Sequence, residues 1–191
     1  MNPETDLQYE FHLHEQGFRY IAGLDEAGRG AWAGPVVAGA VILPLARFDL
    51  AHALNGVTDS KLLTAARREA LVPTILSTAA TSGVGFATNE EIDQIGIVPA
   101  TRLAMRRALA QLELVPDVLL VDSLDLPEIE LPCTALVKGD RKSVSIAAAS
   151  ILAKVARDQH LDQLDALYPQ YGFRLHKGYG TPLHKHALKT F

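Results

Sequence analysis

The sequence predicts an α/β domain built on a mixed sheet, with helices covering the strands. Two observations support this prediction. Short apolar runs bounded by turn residues cluster in the first 140 residues, and a long alanine-rich segment follows them. The chain has 191 residues, 48% of them hydrophobic, which is enough for one domain with a substantial core. We therefore expect a single domain over 1–191, with a sheet core at about 19–140 and a basic helical segment at about 141–191.

The predicted sheet has five strands, and each is an apolar run that ends at a turn or at a charged residue. The first run leads directly into a pair of acidic residues, and the fourth stops at Asp122. In chain order, the predicted strands are 20–24, 36–43, 82–88, 117–121 and 134–137.

Three longer helices are predicted around these strands. Thr58-Asp59-Ser60-Lys61 resembles a helix cap and predicts a helix over 65–76. Pro99 predicts the opening turn of a second helix, and Pro116 lies beyond its end. The segment SIAAASILAKVARD is rich in alanine, so it predicts a long, tightly packing helix over 143–167.

The composition excludes several classes of protein. No apolar run is as long as a membrane span, because charged residues or Pro and Gly interrupt each candidate. The N-terminal segment is polar and acidic, unlike a secretory signal peptide. Cys133 is the only cysteine, which excludes an internal disulfide and favours a reducing, cytoplasmic setting. We interpret Cys133 as a small buried residue without a reactive role.

Charge is distributed unevenly along the chain, whose formal net charge is −4. Residues 138–191 hold nine Lys and Arg against four Asp and Glu, a net charge of +5, whereas residues 1–137 have a net charge of −9. A basic C-terminal segment beside an acidic cluster is typical of a protein that binds phosphates while holding metal ions. The alternative is that the basic residues only cover solvent-exposed helix faces.

Two adjacent carboxylates, Asp25 and Glu26, follow the first predicted strand. They precede Gly28-Arg29-Gly30, where the glycines allow another chain to approach the backbone closely. Neighbouring carboxylates repel each other, so a cation would stabilise the pair, and oxygen ligands favour Mg²⁺ or Mn²⁺. The alternative is an acidic surface turn.

Further acidic residues are candidates for the same site. Asp122 ends a predicted buried strand, where ligand-bearing residues of α/β sheets lie, although an Asp before Ser123 would also suit a turn. Asp140 lies among basic residues before the long helix, where it would either bind a metal ion or favour the helix N-terminus. Asp158, inside that helix, is more simply explained as a solvated or salt-bridged residue.

Basic, hydroxyl and aromatic side chains near these carboxylates are candidates for contacts with nucleic acid. Lys61 is a candidate phosphate ligand, and Tyr179, between two glycines, either stacks on a sugar or base or simply packs. The start of the long helix offers phosphate contacts from Lys138, Arg141, Lys142, Ser143 and Ser145. Three histidines are expected to contact phosphates or solvent rather than zinc: His176, His184 and His186.

Several motifs occur in the order that is typical of one nuclease family. The segments GLDEAGRG, TDSK, VDS, VKGDRKSVSIAAASILAKVARD and GFRLHKGYGTPLH resemble ribonuclease HII, the type 2 ribonuclease H, over about residues 20–186. DEAGRG alone is a moderate signal, but the combination in this order is very specific. The resemblance implies a ribonuclease H-like mixed five-stranded sheet flanked by helices, with a helical C-terminal segment.

The resemblance also implies roles for particular residues. The backbone of Gly28-Arg29-Gly30 would meet the ribose 2′-hydroxyl, and Tyr179 would sense the junction between RNA and DNA. The chain departs from the family pattern at Ala31-Trp32, where Pro-Leu is more usual. Four carboxylates would hold Mg²⁺ or Mn²⁺, with two ions during catalysis: Asp25, Glu26, Asp122 and Asp140.

The implied function is an endonuclease that hydrolyses the RNA strand of RNA–DNA hybrids. It would also cut 5′ of ribonucleotides embedded in duplex DNA, leaving 3′-hydroxyl and 5′-phosphate ends. The main alternative is a non-catalytic nucleic-acid-binding module, which would need the basic segment but not four converging carboxylates. A Mg²⁺-dependent nucleotide phosphatase ranks lowest, because the glycine segment lacks the Gly-Lys-Ser/Thr ending of a P-loop.

Two further expectations concern relatives and partners. Within the family, ribonuclease HIII usually carries an additional N-terminal domain, whereas only about twenty residues precede the first predicted strand here. We expect a monomer without membrane association. Residues 189–191 give no indication of a tail that binds a sliding clamp.

Overall fold

The computed structural model describes residues 5–191 and contains a mixed five-stranded sheet. The sheet order is β3-β2-β1-β4-β5, so β1 lies at its centre. β2 is antiparallel to both β1 and β3, whereas β4 is parallel to both β1 and β5. The five strands are β1 (Ile21–Ala27), β2 (Val36–Ile42), β3 (Thr81–Ala87), β4 (Val118–Asp122) and β5 (Cys133–Leu136). The predicted fold class is therefore confirmed.

The register of β1 and β4 brings two carboxylate-bearing strand ends together. Leu24 pairs with Val121, the residue before Asp122, while Asp25 pairs with Gly39 of β2 on the other side. Because parallel strands end at the same edge of a sheet, Asp25 and Asp122 lie next to each other there.

Helices surround the sheet and make up most of the C-terminal segment. Short 3₁₀ turns at Ser60–Leu62, Gly139–Arg141 and Pro169–Tyr171 connect some of them. The helices are α1 (Gln8–Glu15), α2 (Leu50–Ala53), α3 (Ala65–Thr78), α4 (Asn89–Ile95), α5 (Ile97–Leu109), α6 (Val144–Leu167), α7 (Phe173–His176) and α8 (Pro182–Thr190).

Two helices cover opposite faces of the sheet. α6 packs on β1 and β2, and α5 packs on β2 and β3. Glycines on the α6 side allow this close packing, because a Cβ at Gly23 or Gly39 would collide with the backbone of Ser145 or Ala149 in α6. α6 therefore lies close to the sheet, and its N-terminal end meets the edge that carries the carboxylates.

Several local predictions need correction. Thr64, whose hydroxyl accepts from the Arg67 amide, caps α3, whereas Asp59 caps only the preceding 3₁₀ turn. The helix α5 begins at Ile97 rather than at Pro99. Pro99 lies in its first turn, where proline is tolerated because its missing amide is not needed. Cys133 is exposed rather than buried, since it begins the edge strand β5.

In residues 5–191, no helix is both long enough and apolar enough to span a membrane. The first residues of the polar N-terminal segment, 1–4, lie outside the described part of the chain.

Candidate functional site

Three carboxylates converge at the carboxyl ends of the central strands. One oxygen each from Asp25, Asp122 and Asp140 lies within 4.8 Å of the other two. Asp25 lies in β1, Asp122 ends β4, and Asp140 lies in the 3₁₀ turn that precedes α6. The Gly139 amide donates to Asp122 Oδ1 at 2.8 Å, which holds that turn against the end of β4. This bond brings Asp140 to the two strand residues.

Asp25 is almost fully buried. Its Oδ1 accepts a hydrogen bond from the Glu26 amide at 2.7 Å, whereas its Oδ2 has no hydrogen-bond partner among the described residues. Burial raises the pKa of Asp25 well above its usual value, and repulsion from Glu26 and Asp122 raises the same pKa further. A buried carboxylate with one free oxygen is costly unless another group completes its environment.

Glu26 lies beside the three aspartates rather than among them. Its Oε1 is 3.5 Å from Arg29 Nη1, and its Oε2 is buried without a hydrogen-bond partner in residues 5–191. Burial raises the pKa of Glu26, while the positive charge of Arg29 opposes this rise. Glu26 thus offers a second unpartnered carboxylate oxygen next to the cluster.

Asp140 connects the cluster to a basic turn. Burial and the charges of Asp59 and Asp122 raise the pKa of Asp140 to about 6. Lys61 Nζ lies 3.8 Å from Asp140 Oδ2, and this lysine side chain is 72% exposed. Partial desolvation of the Lys61 ammonium lowers its pKa, but attraction by Asp25 and Asp140 outweighs this effect and raises the pKa overall. Lys61 therefore places an exposed positive charge beside the carboxylates, where the sequence predicted a phosphate ligand.

Asp59 organises this basic turn, a role that the sequence analysis missed. Its Oδ1 accepts from the Lys61 amide at 2.8 Å, and its Oδ2 accepts from Arg141 Nη2 at 2.8 Å. The motif TDSK was the available signal, but it predicts a helix cap and a phosphate ligand at Lys61, and no role for Asp59 itself. Asp59 instead joins the turn that carries Lys61 to the turn that carries Asp140.

The donor set fits a hard divalent cation. All four carboxyl groups supply oxygen, and two of their oxygens are buried without a hydrogen bond among the described residues. Burial and mutual repulsion raise the pKa of three of them, Asp25, Glu26 and Asp140. A Mg²⁺ or Mn²⁺ ion would offset this repulsion and satisfy the free oxygens.

The Gly28-Arg29-Gly30 turn follows β1 directly. Gly28 has a φ of 100°, and a Cβ there would collide with the Arg157 side chain, so this position requires glycine. Gly30 is exposed, and a Cβ there would meet no atom within 4 Å. The protein's own packing therefore does not require glycine at residue 30, and the space beside its backbone is open.

The Tyr179 loop lies against the segment that follows this turn. The Trp32 amide donates to the Gly178 carbonyl at 2.8 Å, and the Trp32 ring covers Gly180. The Tyr179 ring is partly exposed, with Lys154 Nζ 5.3 Å from its centroid. The structure thus brings the Gly-Arg-Gly turn and the tyrosine loop together, although about 150 residues separate them.

Ser143 and Ser145 do not reach the surface, which corrects their prediction as phosphate ligands. Both are fully buried at the start of α6, and both hydroxyls donate to Oε1 of Glu10, at 2.6 and 2.7 Å. Glu10, a buried residue of α1, gave no sequence signal because it lies in a polar helix far from any motif. The Glu10 side chain takes the place that a phosphate was expected to occupy.

Two histidines also differ from their prediction. The His176 and His184 rings are buried and stacked, with centroids 4.2 Å apart, so they contact neither solvent nor phosphate. Both ring nitrogens of His176 bind backbone atoms, and His184 Nδ1 lies 3.1 Å from the Tyr179 carbonyl oxygen, which supports the tyrosine loop. His184 Nε2 is buried without a hydrogen-bond partner among the described residues. Asp158 pairs with Lys154 at 2.7 Å, which confirms that it is a salt-bridged helix residue.

Comparisons with known proteins point to one family. A family model described as Ribonuclease HII matches residues 22–190. A ribonuclease HII from Chloroflexus aurantiacus is 52% identical over 186 residues, which cover 97% of this chain and 88% of that protein.

Solved structures are similar as well. The PCNA:RNase HII complex from Archaeoglobus fulgidus matches with a TM-score of 0.74 and 32% identity, over 89% of this chain and 87% of the matched chain. Bst-RNase HIII in complex with Mn²⁺ matches with a TM-score of 0.63 and 25% identity, over 78% of this chain and 55% of that one. From the family match, the near full-length relative and the fold, we conclude that this chain belongs to the ribonuclease HII family of RNA-hydrolysing endonucleases.

Proposed function

We propose that this enzyme hydrolyses the RNA strand of RNA–DNA hybrids and also cuts on the 5′ side of single ribonucleotides embedded in duplex DNA. The products would carry 3′-hydroxyl and 5′-phosphate ends. The observation that supports this most is the meeting of three carboxylates, within 4.8 Å, beside an open glycine turn and an exposed lysine. A cluster of this kind would repel phosphates unless it were loaded with cations.

The proposed cofactor is Mg²⁺ or Mn²⁺, held by four carboxylates. Two such ions, when bound, activate the attacking water and stabilise the leaving oxygen in phosphodiester hydrolysis. The Mn²⁺ complex of the similar Bst protein supports this choice of cation. The proposed ligands are Asp25, Glu26, Asp122 and Asp140.

The protein's own groups would bind and orient the substrate. The open backbone at Gly30 would approach the ribose 2′-hydroxyl, with Gly28 providing the left-handed turn that aims the segment outward. Arg29 is partly exposed and would contact a phosphate, as would Lys61. The Tyr179 ring would lie on the deoxyribose that follows the ribonucleotide.

Cleavage of a defined duplex tests this proposal. The substrates are a DNA duplex with one ribonucleotide and an all-DNA duplex of the same sequence, each with Mg²⁺, with Mn²⁺ and with neither. We expect metal-dependent cutting of the first substrate only, at the 5′ side of the ribonucleotide. Equal cutting of both would indicate a general nuclease, and binding without cutting would support the non-catalytic alternative.

The variants Asp25→Asn and Asp122→Asn test the metal ligands. Each replaces one carboxylate with an amide of nearly the same shape, so we expect a folded protein that has lost most cleavage. Removing a charge also relieves repulsion, so metal-free thermal stability should stay equal or rise. Near-normal Mg²⁺-dependent activity in either variant would refute the assignment.

We also propose that the enzyme acts as a monomer in the cytoplasm, where a single free cysteine stays reduced. The Archaeoglobus relative is described in a complex with PCNA. A direct binding measurement with a sliding clamp tests whether this chain forms such a complex.

A further inference from the structure

Arg157 is a fully buried, charged residue of α6. Its guanidinium donates three hydrogen bonds, all to backbone carbonyls: Pro35 at 2.9 Å, Lys177 at 2.8 Å and Ala33 at 3.0 Å. Within residues 5–191 it forms no salt bridge with a carboxylate. Burying a charge among neutral partners is expensive, so the arrangement requires a compensating role.

The three carbonyls belong to two loops that are far apart in sequence. Ala33 and Pro35 lie in the segment that follows Gly28-Arg29-Gly30, and Lys177 lies in the loop that carries Tyr179. Arg157 therefore binds both loops at once. The planar guanidinium suits this task, because its donors point in fixed directions that a lysine ammonium does not reproduce.

Two glycines at this junction have no room for a side chain. A Cβ at Gly28 would collide with Arg157 Nε, and a Cβ at Gly178 would collide with the Ala33 carbonyl oxygen. Both residues have a positive φ, of 100° and 79°. Each glycine is thus required where its loop meets the guanidinium or the opposite loop.

The same guanidinium also contacts the tyrosine ring. Arg157 Cζ lies 5.3 Å from the centroid of the Tyr179 ring, a cation–π distance. One side chain therefore contacts both the Tyr179 ring and the segment that follows the Gly-Arg-Gly turn.

We propose that Arg157 is a positioning residue for substrate selection. It fixes the spacing between the Gly28-Arg29-Gly30 backbone and the Tyr179 ring, so that the ribonucleotide and the deoxyribose after it are recognised as one unit. This inference rests on the proposed function, because it assigns the two loops their substrate contacts. It extends that function to a residue that would not touch the substrate itself.

The proposal predicts a change in substrate preference rather than a uniform loss. A single embedded ribonucleotide requires both contacts at the correct spacing, whereas a long RNA–DNA hybrid offers a 2′-hydroxyl at every position of its RNA strand. We expect Arg157→Lys to reduce kcat/KM on the single-ribonucleotide duplex at least about tenfold more than on the long hybrid, comparable to losing an aromatic stacking contact.

The matched control is Arg107→Lys. Arg107 of α5 also donates to a backbone carbonyl, that of Phe86 at 2.7 Å, but its other hydrogen bonds go to Glu91 of α4 and none goes to either loop. We expect this control to leave the ratio of the two kcat/KM values unchanged. In a Tyr179→Ala background, Arg157→Lys should add little to the change in preference, because the ring that it positions is already gone.

Hydrogen exchange supplies a second measurement that needs no substrate. Arg157→Lys should speed exchange of the Trp32 and Tyr179 amides, which bind the Gly178 and His176 carbonyls. The amides in the middle of α6 should keep their protection. A general loss of protection would indicate global destabilisation and would overturn the positioning role.

The outcomes separate this inference from the function on which it rests. If the parent enzyme leaves the embedded ribonucleotide uncut, the proposed function fails, and the inference fails with it. If the parent cuts this substrate and Arg157→Lys cuts both substrates with unchanged preference, only the role of Arg157 is refuted.

If Arg157→Lys does not fold, the variant Trp32→Ala, at an exposed position, is used for the same measurements. The Trp32 ring covers Gly180 and is 57% exposed, so its removal loosens the same junction without disturbing the core. We expect the same shift in preference and the same faster exchange at Tyr179. Unchanged preference in Trp32→Ala would then overturn the proposal.

Discussion

Gly30 and Gly39 differ in the space that the structure leaves for a side chain. A Cβ at Gly39 would collide with the Ala149 carbonyl in α6, whereas a Cβ at Gly30 would meet no atom within 4 Å. Gly30 is also not among the glycines with a positive φ, so alanine suits its backbone. If its glycine is explained by a ligand, alanine there should affect cleavage and not folding.

We expect Gly30→Ala to change the free energy of unfolding by less than about 0.5 kcal/mol. Its kcat/KM on a single-ribonucleotide duplex should fall at least about tenfold, since a methyl group would block the approach to the sugar. The control Gly39→Ala should instead lose about 1–3 kcal/mol of stability, because it overpacks the contact between sheet and helix. Urea unfolding and initial rates measure both quantities. Full activity in Gly30→Ala would argue against a backbone contact at this residue.

Tyr179 allows the ring and the hydroxyl to be tested separately. Its ring lies against the cations of Lys154 and Arg157, and a phenylalanine would keep both contacts. We expect Tyr179→Ala to raise the barrier for cutting a single ribonucleotide by about 1–3 kcal/mol, whereas Tyr179→Phe should retain much of the rate. Steady-state kinetics on one substrate decide this. If Phe is as slow as Ala, the hydroxyl and not the ring makes the essential contact.

At the scale of elements, α1 and α6 are joined by one buried carboxylate. Glu10 Oε1 accepts hydrogen bonds from the Ser145 amide at 2.8 Å and from the Ser143 and Ser145 hydroxyls. Although these hydrogen bonds favour the charged form, burial is the larger effect and raises the pKa of Glu10. This side chain therefore fixes the first turn of α6, directly after the turn that carries Asp140.

Glu10→Ala should destabilise the protein by about 1–3 kcal/mol, because three buried donors lose their acceptor. The control is Glu15→Ala in the same helix, where the side chain is exposed, and its effect should be within about 0.5 kcal/mol. Urea unfolding at pH 7 compares the two. Equal effects of the two variants would show that the link between α1 and α6 does not contribute to stability.

The start of α6 also shows where sequence reasoning reaches its limit. The helix itself was predictable from its alanine-rich segment, as were the strands from their apolar runs. The burial of Ser143 and Ser145 was not, because their partner Glu10 lies 135 residues from Ser145 and belongs to no motif. Likewise, a cluster of histidines in sequence gave no sign that His176 and His184 stack in the interior.

At the scale of the whole molecule, the carboxylate cluster lowers the stability of the folded protein when no metal is bound. Burial and repulsion raise the pKa of Asp25, and that of Asp140 to about 6 from an ordinary 3.8. The folded protein therefore binds protons that the unfolded chain releases. The stabilisation from protonated Asp140 is complete below about pH 3.8 and is lost as the pH rises through about 6.

Without metal, the thermal midpoint should fall between pH 4 and pH 7 more steeply in the parent than in Asp140→Asn, which lacks this titration. At pH 7, added Mg²⁺ should raise the midpoint of the parent by mass action and have little effect on Asp140→Asn. Thermal scans with and without a chelator measure both effects. Parallel pH profiles for the two proteins would contradict the assigned pKa of Asp140.

The three aspartates that meet in the structure, Asp25, Asp122 and Asp140, were predictable because each lies in a short motif at a strand end or before a helix. What no motif showed was their support. Asp59 and Arg157 act through contacts with residues 82 and about 120 positions away, respectively, and only the register of the sheet and the path of the loops determine such contacts. The carboxylate residues were thus easier to predict from the sequence than the residues that hold them and the loops in position.

The order of the strands has a consequence for synthesis on the ribosome. The strands β1, β2 and β3 follow one another in the chain and form antiparallel pairs in the sheet. Their pairing therefore needs no residue beyond Ala87, the end of β3. The proposed metal site cannot form so early, because Asp140 is translated 115 residues after Asp25. If these carboxylates hold the metal as proposed, a nascent chain stays inactive until the turn that carries Asp140 has emerged and bound the end of β4.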